Sequence, residues 1–350
     1  MFVGRQGELY QLNKAYSSGK SECVVISGGR HVGKTALISE FIRGKRFLFF
    51  SARELTDKYN LDAFSCLVAE CFGTGTEKAS DWKSAFELIG GNVGNDQFIL
   101  VFENYPDACL ANRKLSAAIA NAFETCFKDT GLFLILTGSH TAALDREILG
   151  ETSTLHPFLT LSIRLKGLPF EDAKSFLSGF SEEDQYRIYN CIGGTPLYLK
   201  LIDSNESFQN NIIRLYFDRC GFIYNDISVR LQKELIGPIV YNALLRAVAY
   251  GKRKSREILL ETCEESGKAH KYLNVLQSMG ILSRDVPEGA DPQISRKGVW
   301  RFEDYAQCFW YRYVFDHQDE INQGRGAEYA RRYVFPTLEK EYEDYVAKSK

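Results

Sequence analysis

The sequence predicts an α/β fold, a parallel sheet with helices on both faces, followed by a mainly helical second half. Three observations predict it. The octapeptide Gly28-Gly29-Arg30-His31-Val32-Gly33-Lys34-Thr35 fits G-x-x-x-x-G-K-[ST] and stands between an apolar run and a helix-spaced segment. Short apolar runs then alternate with helical patterns, as expected of parallel strands joined by crossover helices. Beyond Pro169 the apolar spacing becomes helical.

Cys23-Val24-Val25-Ile26-Ser27 reads as a buried strand, and Ala36 to Ile42 as the helix after the loop. Glycines at 28, 29 and 33 let backbone N–H groups turn inward around phosphate oxygens, and the helix N-terminus adds a favourable partial charge. Arg30, His31, Val32 and Ala36 contribute through their backbone, Lys34 reaches the β- and γ-phosphates, and the Thr35 hydroxyl is a ligand for Mg²⁺. A nucleoside triphosphate is the expected guest; the alternative is a Gly-rich turn that binds nothing. Further strands are expected at Arg46–Phe50, Phe98–Glu103, Leu132–Thr137 and Thr160–Leu165, with helices over Leu61–Phe72, Trp82–Ile89 and Asn112–Phe127.

The chain has 350 residues, enough for two or three domains. It is 45% apolar and 25% charged with a net charge of -2, so nucleic-acid binding would rest on a local basic patch. No apolar stretch is long enough to span a bilayer, and the first nine residues do not resemble a secretory signal, so a cytoplasmic protein without a membrane partner is expected. Nine cysteines without a C-x-x-C pair, among them Cys66, Cys71 and Cys126 in apolar segments, suggest reduced, buried thiols.

Past about residue 235 the pattern resembles a winged helix. Ile239–Tyr250, Ser255–Cys263 and Ala269–Met279 are the three helices; Gly280–Arg284 and Gly298–Phe302 are the wing strands, joined through Pro287 to Ser295. Lys252, Arg253, Lys254, Arg256, Lys268, His270, Lys271, Arg296 and Lys297 supply candidate contacts to double-stranded DNA. Glu261, Glu264, Glu265, Glu288 and Asp291 interleave acids, so a solvated face or a protein-docking module remains open. The aromatic group Phe302, Tyr305, Phe309, Trp310, Tyr311 and Tyr313 has helical spacing and reads as core.

These segments together resemble the archaeal-type P-loop ATPases, a branch of the AAA+/STAND group. The resemblance rests on Phe2-Val3-Gly4-Arg5 with Glu8-Leu9, the loop itself, Ile135-Leu136-Thr137-Gly138-Ser139, Gly193-Gly194-Thr195-Pro196-Leu197-Tyr198-Leu199, and Phe309-Trp310-Tyr311-Arg312-Tyr313, and covers almost the whole chain. It implies ATP and Mg²⁺ as cofactors, Val3, Arg5 and Pro196 as base contacts, and Glu103 as a metal ligand beside Thr35. Gly193 to Pro196 also read as a plain interhelical turn. Thr137 and Ser139 become candidate sensors of the γ-phosphate, with capping of the next helix as the alternative for both.

Two departures bear on mechanism. Relatives usually end the third strand with Asp-Glu, where this chain has Glu103-Asn104, so the residue expected to polarise the attacking water has no carboxylate. Relatives often carry a Gly-Arg-Arg-like element before the fifth strand, where this chain has His156-Pro157-Phe158-Leu159; Arg146 and Arg164 are the candidate substitutes, with a solvated helix face and a sheet-edge ion pair as their alternative readings. With catalytic candidates Lys34, Glu103, Asn104 and Ser139, the expectation is a nucleotide-dependent switch with slow or absent turnover; the alternative is a competent Mg-dependent ATPase acting on DNA or a protein complex. The expected organisation is 1–168 nucleotide-binding domain, 169–232 helical lid, 233–318 winged helix and 319–350 helical extension, with a protein partner or a second copy of the chain as further candidate partners. Longer relatives carry a nuclease-like domain after this point; none is expected here.

Overall fold

Apolar residues on successive positions of a strand point to opposite sides, so a strand apolar throughout must be covered on both faces. Cys23, Val24, Val25 and Ile26 are all fully buried in this way. A computed structural model describes residues 2–75, 78–139, 144–234, 237–262, 266–289 and 297–349. Cys263, Glu264, Glu265, Asp291 and Arg296, with most of the segment between the two predicted wing strands, lie outside the described residues. The chain forms two compact units, Met1–Leu165 and Lys166–Lys350.

The first unit runs α1 (Gln6–Tyr16), β1 (Glu22–Gly28), α2 (Lys34–Phe41), β2 (Phe47–Ser51), α3 (Asp57–Phe72), α4 (Trp82–Val93), β3 (Phe98–Glu103), α5 (Tyr105–Ala111), α6 (Leu115–Glu124), β4 (Leu132–Gly138) and β5 (Leu159–Leu165). Its five strands are parallel in the order β2-β3-β4-β1-β5, so β4 lies between the strand before the phosphate loop and the strand ending in Glu103. One face packs Cys23, Val25, Leu100 and Leu134 against α3, α4 and α6; the other packs Val24, Ile26, Val101 and Ile135 against α1 and α2. The helix expected over Asn112–Phe127 is shorter, and a separate helix, α5, precedes it. Pro106 stands at the start of α5, where a missing N–H costs nothing.

The cysteine expectation needs correction. Cys66 and Cys71 are exposed and Cys126 is half-buried, while Cys23, Cys109 and Cys191 are buried. On α3 the inward positions are Leu61, Phe64, Ser65, Val68 and Ala69, which turns residues 66 and 71 outward.

The second unit runs α7 (Phe170–Ala173), α8 (Glu182–Ile192), α9 (Pro196–Lys200), α10 (Phe208–Tyr216), α11 (Phe222–Glu234), α12 (Pro238–Ala249), α13 (Ser255–Thr262), α14 (Ser266–Ser278), β6 (Leu282–Asp285), β7 (Val299–Phe302), α15 (Tyr305–Tyr313), α16 (Gln318–Asn322), α17 (Gly326–Tyr329) and α18 (Phe335–Ser349). β6 and β7 pair antiparallel with Leu282 opposite Phe302. Trp300 on β7 is buried and its indole N–H donates to Ser255 Oγ at 3.0 Å, tying the hairpin to α13. One apolar core runs from Leu168 through Trp300 to Leu338. Phe309, Trp310, Tyr311 and Tyr313 lie in it, whereas Tyr305, at the first turn of α15, is 49% exposed and is no core residue. Among the described residues no helix is long and apolar enough to cross a membrane.

Candidate nucleotide-binding site

The loop between β1 and α2 is shaped by where a side chain cannot go. A Cβ on Gly28, which has φ +149°, would lie 2.5 Å from the Leu165 carbonyl oxygen and 3.1 Å from Val32 Cγ2. Gly33 caps α2 in the left-handed region at φ +97°, where glycine carries no steric cost. His31, also left-handed at φ +67°, and Arg30 form the turn between them, and Val32 is buried beneath it. Gly29 leads into that turn, and Ala36 faces solvent in the first turn of α2.

Lys34 spans the loop. Its Nζ donates to the carbonyls of Gly28 and Gly29, each at 2.8 Å, and to Ser139 Oγ at 2.9 Å. The ammonium therefore joins the loop to the end of β4, a residue 105 positions away. Thr137 is different: it is fully buried and its hydroxyl donates to Ile26 O at 2.8 Å. Its reading as a γ-phosphate sensor is therefore set aside. The hydroxyl serves the sheet instead.

Thr35 and Glu103 come together from α2 and β3. Thr35 Oγ1 donates to Glu103 Oε1 at 2.7 Å, and Ser51 Oγ donates to Glu103 Oε2 at 2.9 Å. Ser51 lies one residue beyond the second strand expected from the sequence, Arg46–Phe50; β2 extends to it and pairs it with Glu103 in register. The available signal was a hydroxyl ending an apolar run. Asn104, at φ +55°, begins α5 and donates through Nδ2 to Ser51 Oγ and to Ala52 O, each at 3.3 Å. Its amide is thus turned toward the end of β2.

Arg5 approaches the loop from the N-terminal segment. Nη2 donates to Val32 O at 3.1 Å and Nη1 to Glu8 Oε1 at 3.1 Å, leaving its side chain only 9% exposed. These contacts give it a role in holding the loop backbone. Val3 is half-buried near the chain start. Pro196 belongs to the second unit, at the start of α9. There Gly193, at φ +67°, ends α8, and a Cβ on Gly194 would overlap the Leu168 carbonyl, whose own N–H donates to Gly194 O at 2.7 Å. Both glycines are required by backbone geometry.

His156–Phe158 form one 3₁₀ turn with no lysine or arginine in it. Arg164 is exposed on β5, the edge strand of the sheet, and the side chain of Arg146 lies outside the described residues. The donor set fits the expected guest nonetheless. A glycine-built turn closed to a Cβ at Gly28 suits phosphate oxygens, and two adjacent hard oxygen donors, Thr35 Oγ1 and Glu103 Oε1, suit Mg²⁺.

Comparison with known proteins agrees. MJECL04, an uncharacterized protein of Methanocaldococcus jannaschii, is 24% identical over 324 residues, covering 93% of this chain and 71% of that protein. MJ1637 of the same organism is 24% identical over 322 residues, covering 82% of this chain and 61% of that protein. The Walker-type ATPase PABY2304 of Pyrococcus abyssi shares the fold, with a TM-score of 0.68 at 15% identity over 89% of this chain and 96% of that one. Residues 2–202, which include the loop, Glu103 and Ser139, match the ATPase domain found predominantly in Archaea, and the chain belongs to that family of nucleotide-binding ATPases.

Proposed function

We propose that this protein is an ATP- and ADP-binding switch with slow hydrolysis. The observation that supports it is Asn104: the position after Glu103 holds an amide committed to Ser51 and Ala52, and no second carboxylate follows the metal-binding candidate. A positioned general base typically contributes 10²–10⁴-fold, so its loss slows hydrolysis far more than it weakens binding. The absence of an arginine or lysine in the 156–159 segment acts in the same direction. Thr35 and Glu103 would hold Mg²⁺, which neutralises phosphate charge when bound. Lys34 exchanges the Gly28 and Gly29 carbonyls for phosphate oxygens, and Ser139 Oγ receives or hands over the same ammonium. Val3, Arg5 and Pro196 are proposed to border the base, Arg5 also keeping the loop in shape through Val32 O.

Residues 169–232 are proposed to act as the lid, 233–318 as a winged-helix module for DNA or a protein, and 319–350 as a helical extension. Support for the module is three helices followed by an antiparallel hairpin, with Arg253, Lys254, Arg256, His270, Lys271 and Lys297 exposed. Glu257 and Glu261 stand among them: Glu257 accepts from the backbone N–H groups of Arg253 and Lys254, and Glu261 lies 4.0 Å from Lys252. DNA binding through this patch should weaken steeply with added salt and with replacement of Lys252, Arg253 and Lys254. A flat salt response selects the protein-docking alternative.

Steady-state phosphate release measured beside nucleotide affinity tests the switch, with Lys34→Ala as control. Micromolar binding with turnover far below about one per second supports it; turnover at or above that rate, abolished in Lys34→Ala, establishes the competent ATPase instead.

A further inference from the structure

The second unit contains a cleft of about 250 Å³ between α8, α15 and α18. Tyr186 and Arg187 line it from α8, Tyr305, Arg312 and Tyr313 from α15, and Tyr342 from α18. None of these residues belongs to the phosphate loop or its neighbours.

The charges in its walls are already paired. Arg312 Nη2 lies 2.6 Å from Glu341 Oε1, and the guanidinium of Arg187 meets Glu183, Asp184 and Glu339. The cleft therefore offers no uncompensated positive charge to a phosphate or a carboxylate. What it offers is ring surface and donors. Tyr186 is stacked on Tyr345 with centroids 4.3 Å apart, and the Arg187 guanidinium carbon lies 4.9 Å from the centre of the Tyr342 ring.

Two donors in the walls have no acceptor: the Tyr313 hydroxyl and Arg187 Nε, both shielded from solvent. Tyr313 is only 8% exposed, and burial pushes its phenol well above the ordinary value, so it is present as O–H. A buried donor without a partner destabilises the fold, because its desolvation is not compensated. Phenylalanine at 313 would fill the same space without that cost, so packing alone does not explain the hydroxyl.

We propose that this cleft binds a neutral planar heteroaromatic ring of nucleobase size, stacked against the tyrosines and accepting hydrogen bonds from the Tyr313 hydroxyl and Arg187 Nε–H. The volume lies just below the usual range for small-ligand sites, about 300–1,000 Å³, and so suits a base or nucleoside. The paired arginines argue against a nucleotide carrying phosphates here. Stacking of a base on an aromatic ring is favourable and needs no charge. Ring nitrogens and carbonyl oxygens supply the acceptors that the two donors lack.

The test uses the full chain with its phosphate-loop site saturated by Mg·ADP, titrated by calorimetry with adenine, uracil and indole. At least one nucleobase is expected to bind once per chain below millimolar concentration; indole, similar in size but without an acceptor, should bind at least about tenfold more weakly if both hydrogen bonds form. Tyr313→Phe should weaken nucleobase binding about three- to tenfold, leave indole unchanged, and not lower the melting temperature. If that variant does not fold, Tyr186→Leu decides, since losing a stacking ring must weaken both probes. No second binding event at millimolar base, equal binding of indole, or unchanged affinity in a folded variant overturns the proposal.

Discussion

The Thr35 hydroxyl and the Glu103 carboxylate, 68 residues apart in sequence, meet at 2.7 Å across the C-terminal edge of the sheet. A hydroxyl one residue into α2 and an acid at the end of β3 converge because β4, lying between β1 and β3, sets the spacing. In open α/β sheets ligands bind at this edge, and the residues found there are the ones proposed above to hold the nucleotide and its metal. Glu103→Gln keeps the shape but weakens the charge offered to Mg²⁺. It should raise the magnesium concentration needed for tight ATP binding at least about tenfold while leaving metal-free ADP binding nearly unchanged, as calorimetry at graded magnesium will show.

Lys34→Ala removes a cation that bridges Gly28, Gly29 and Ser139. Hydrogen bonds to charged groups contribute about 1.5–3 kcal/mol each, so ATP affinity should fall by roughly 10²-fold or more. Equilibrium titration of wild type and variant provides the comparison. Circular dichroism should remain unchanged.

Asn104→Glu restores a carboxylate at the third-strand end. If the missing base limits hydrolysis, phosphate release should rise at least about tenfold, toward the 10²–10⁴-fold such groups contribute. The substitution also places Glu at φ +55°, where asparagine is tolerated better, so stability should drop by about 1 kcal/mol. Unchanged turnover in a folded Asn104→Glu protein would locate the rate limit elsewhere.

Gly28→Ala forces a Cβ to within 2.5 Å of Leu165 O at a φ of +149°. The backbone of β1 or β5 must shift, at a cost of about 1–3 kcal/mol for the strained residue. Urea unfolding should show a lower midpoint, and nucleotide binding should weaken because the loop follows the strand end.

Thr137→Val and Ser139→Ala separate sheet from site. Thr137 donates only within the core, so its loss should cost about 1–3 kcal/mol of stability with little change in affinity. Ser139 contacts Lys34, so Ser139→Ala should change nucleotide affinity or turnover with little loss of stability. Paired melting and binding curves resolve the two.

Burial pushes the Cys23 thiol up to about 12 and the Cys109 thiol up to about 11, against an ordinary 9.0. A raised folded-state value favours the protonated form, so the associated stability is fully present below pH 9.0 and is lost as pH rises toward 11–12. Thiol-specific reagent at pH 8 should label Cys66, Cys71 and Cys220 rapidly, and Cys23 and Cys109 only after denaturation.

The phosphate loop was legible because its chemistry is local: the glycines, Lys34 and Thr35 fall within one octapeptide, and the strand before and helix after it carry their own periodicities. The five strands were legible too, four as short apolar runs and β5 by its alternation of apolar and polar residues. Boundaries were less so. Nothing local to Ser51 says whether a polar residue ends a strand or begins a loop; its pairing with Glu103 decides that. Thr137 and Ser139 looked alike as hydroxyls at a strand end, yet one faces the sheet and the other the lysine. The outward turn of Cys66 and Cys71 depended on which face of α3 the sheet covers.

By itself, then, the amino-acid order determined the class of guest and the parallel architecture, because both follow from spacing along a few contiguous residues. Tertiary structure alone decided which oxygen meets which: that Ser51 and Thr35 share Glu103, that Asn104 turns its amide to the end of β2, and that Arg187, Arg312 and Tyr313 come together around one cleft. Such contacts join positions tens to more than a hundred residues apart. Their geometry is set by strand register and helix packing, which no window of sequence contains.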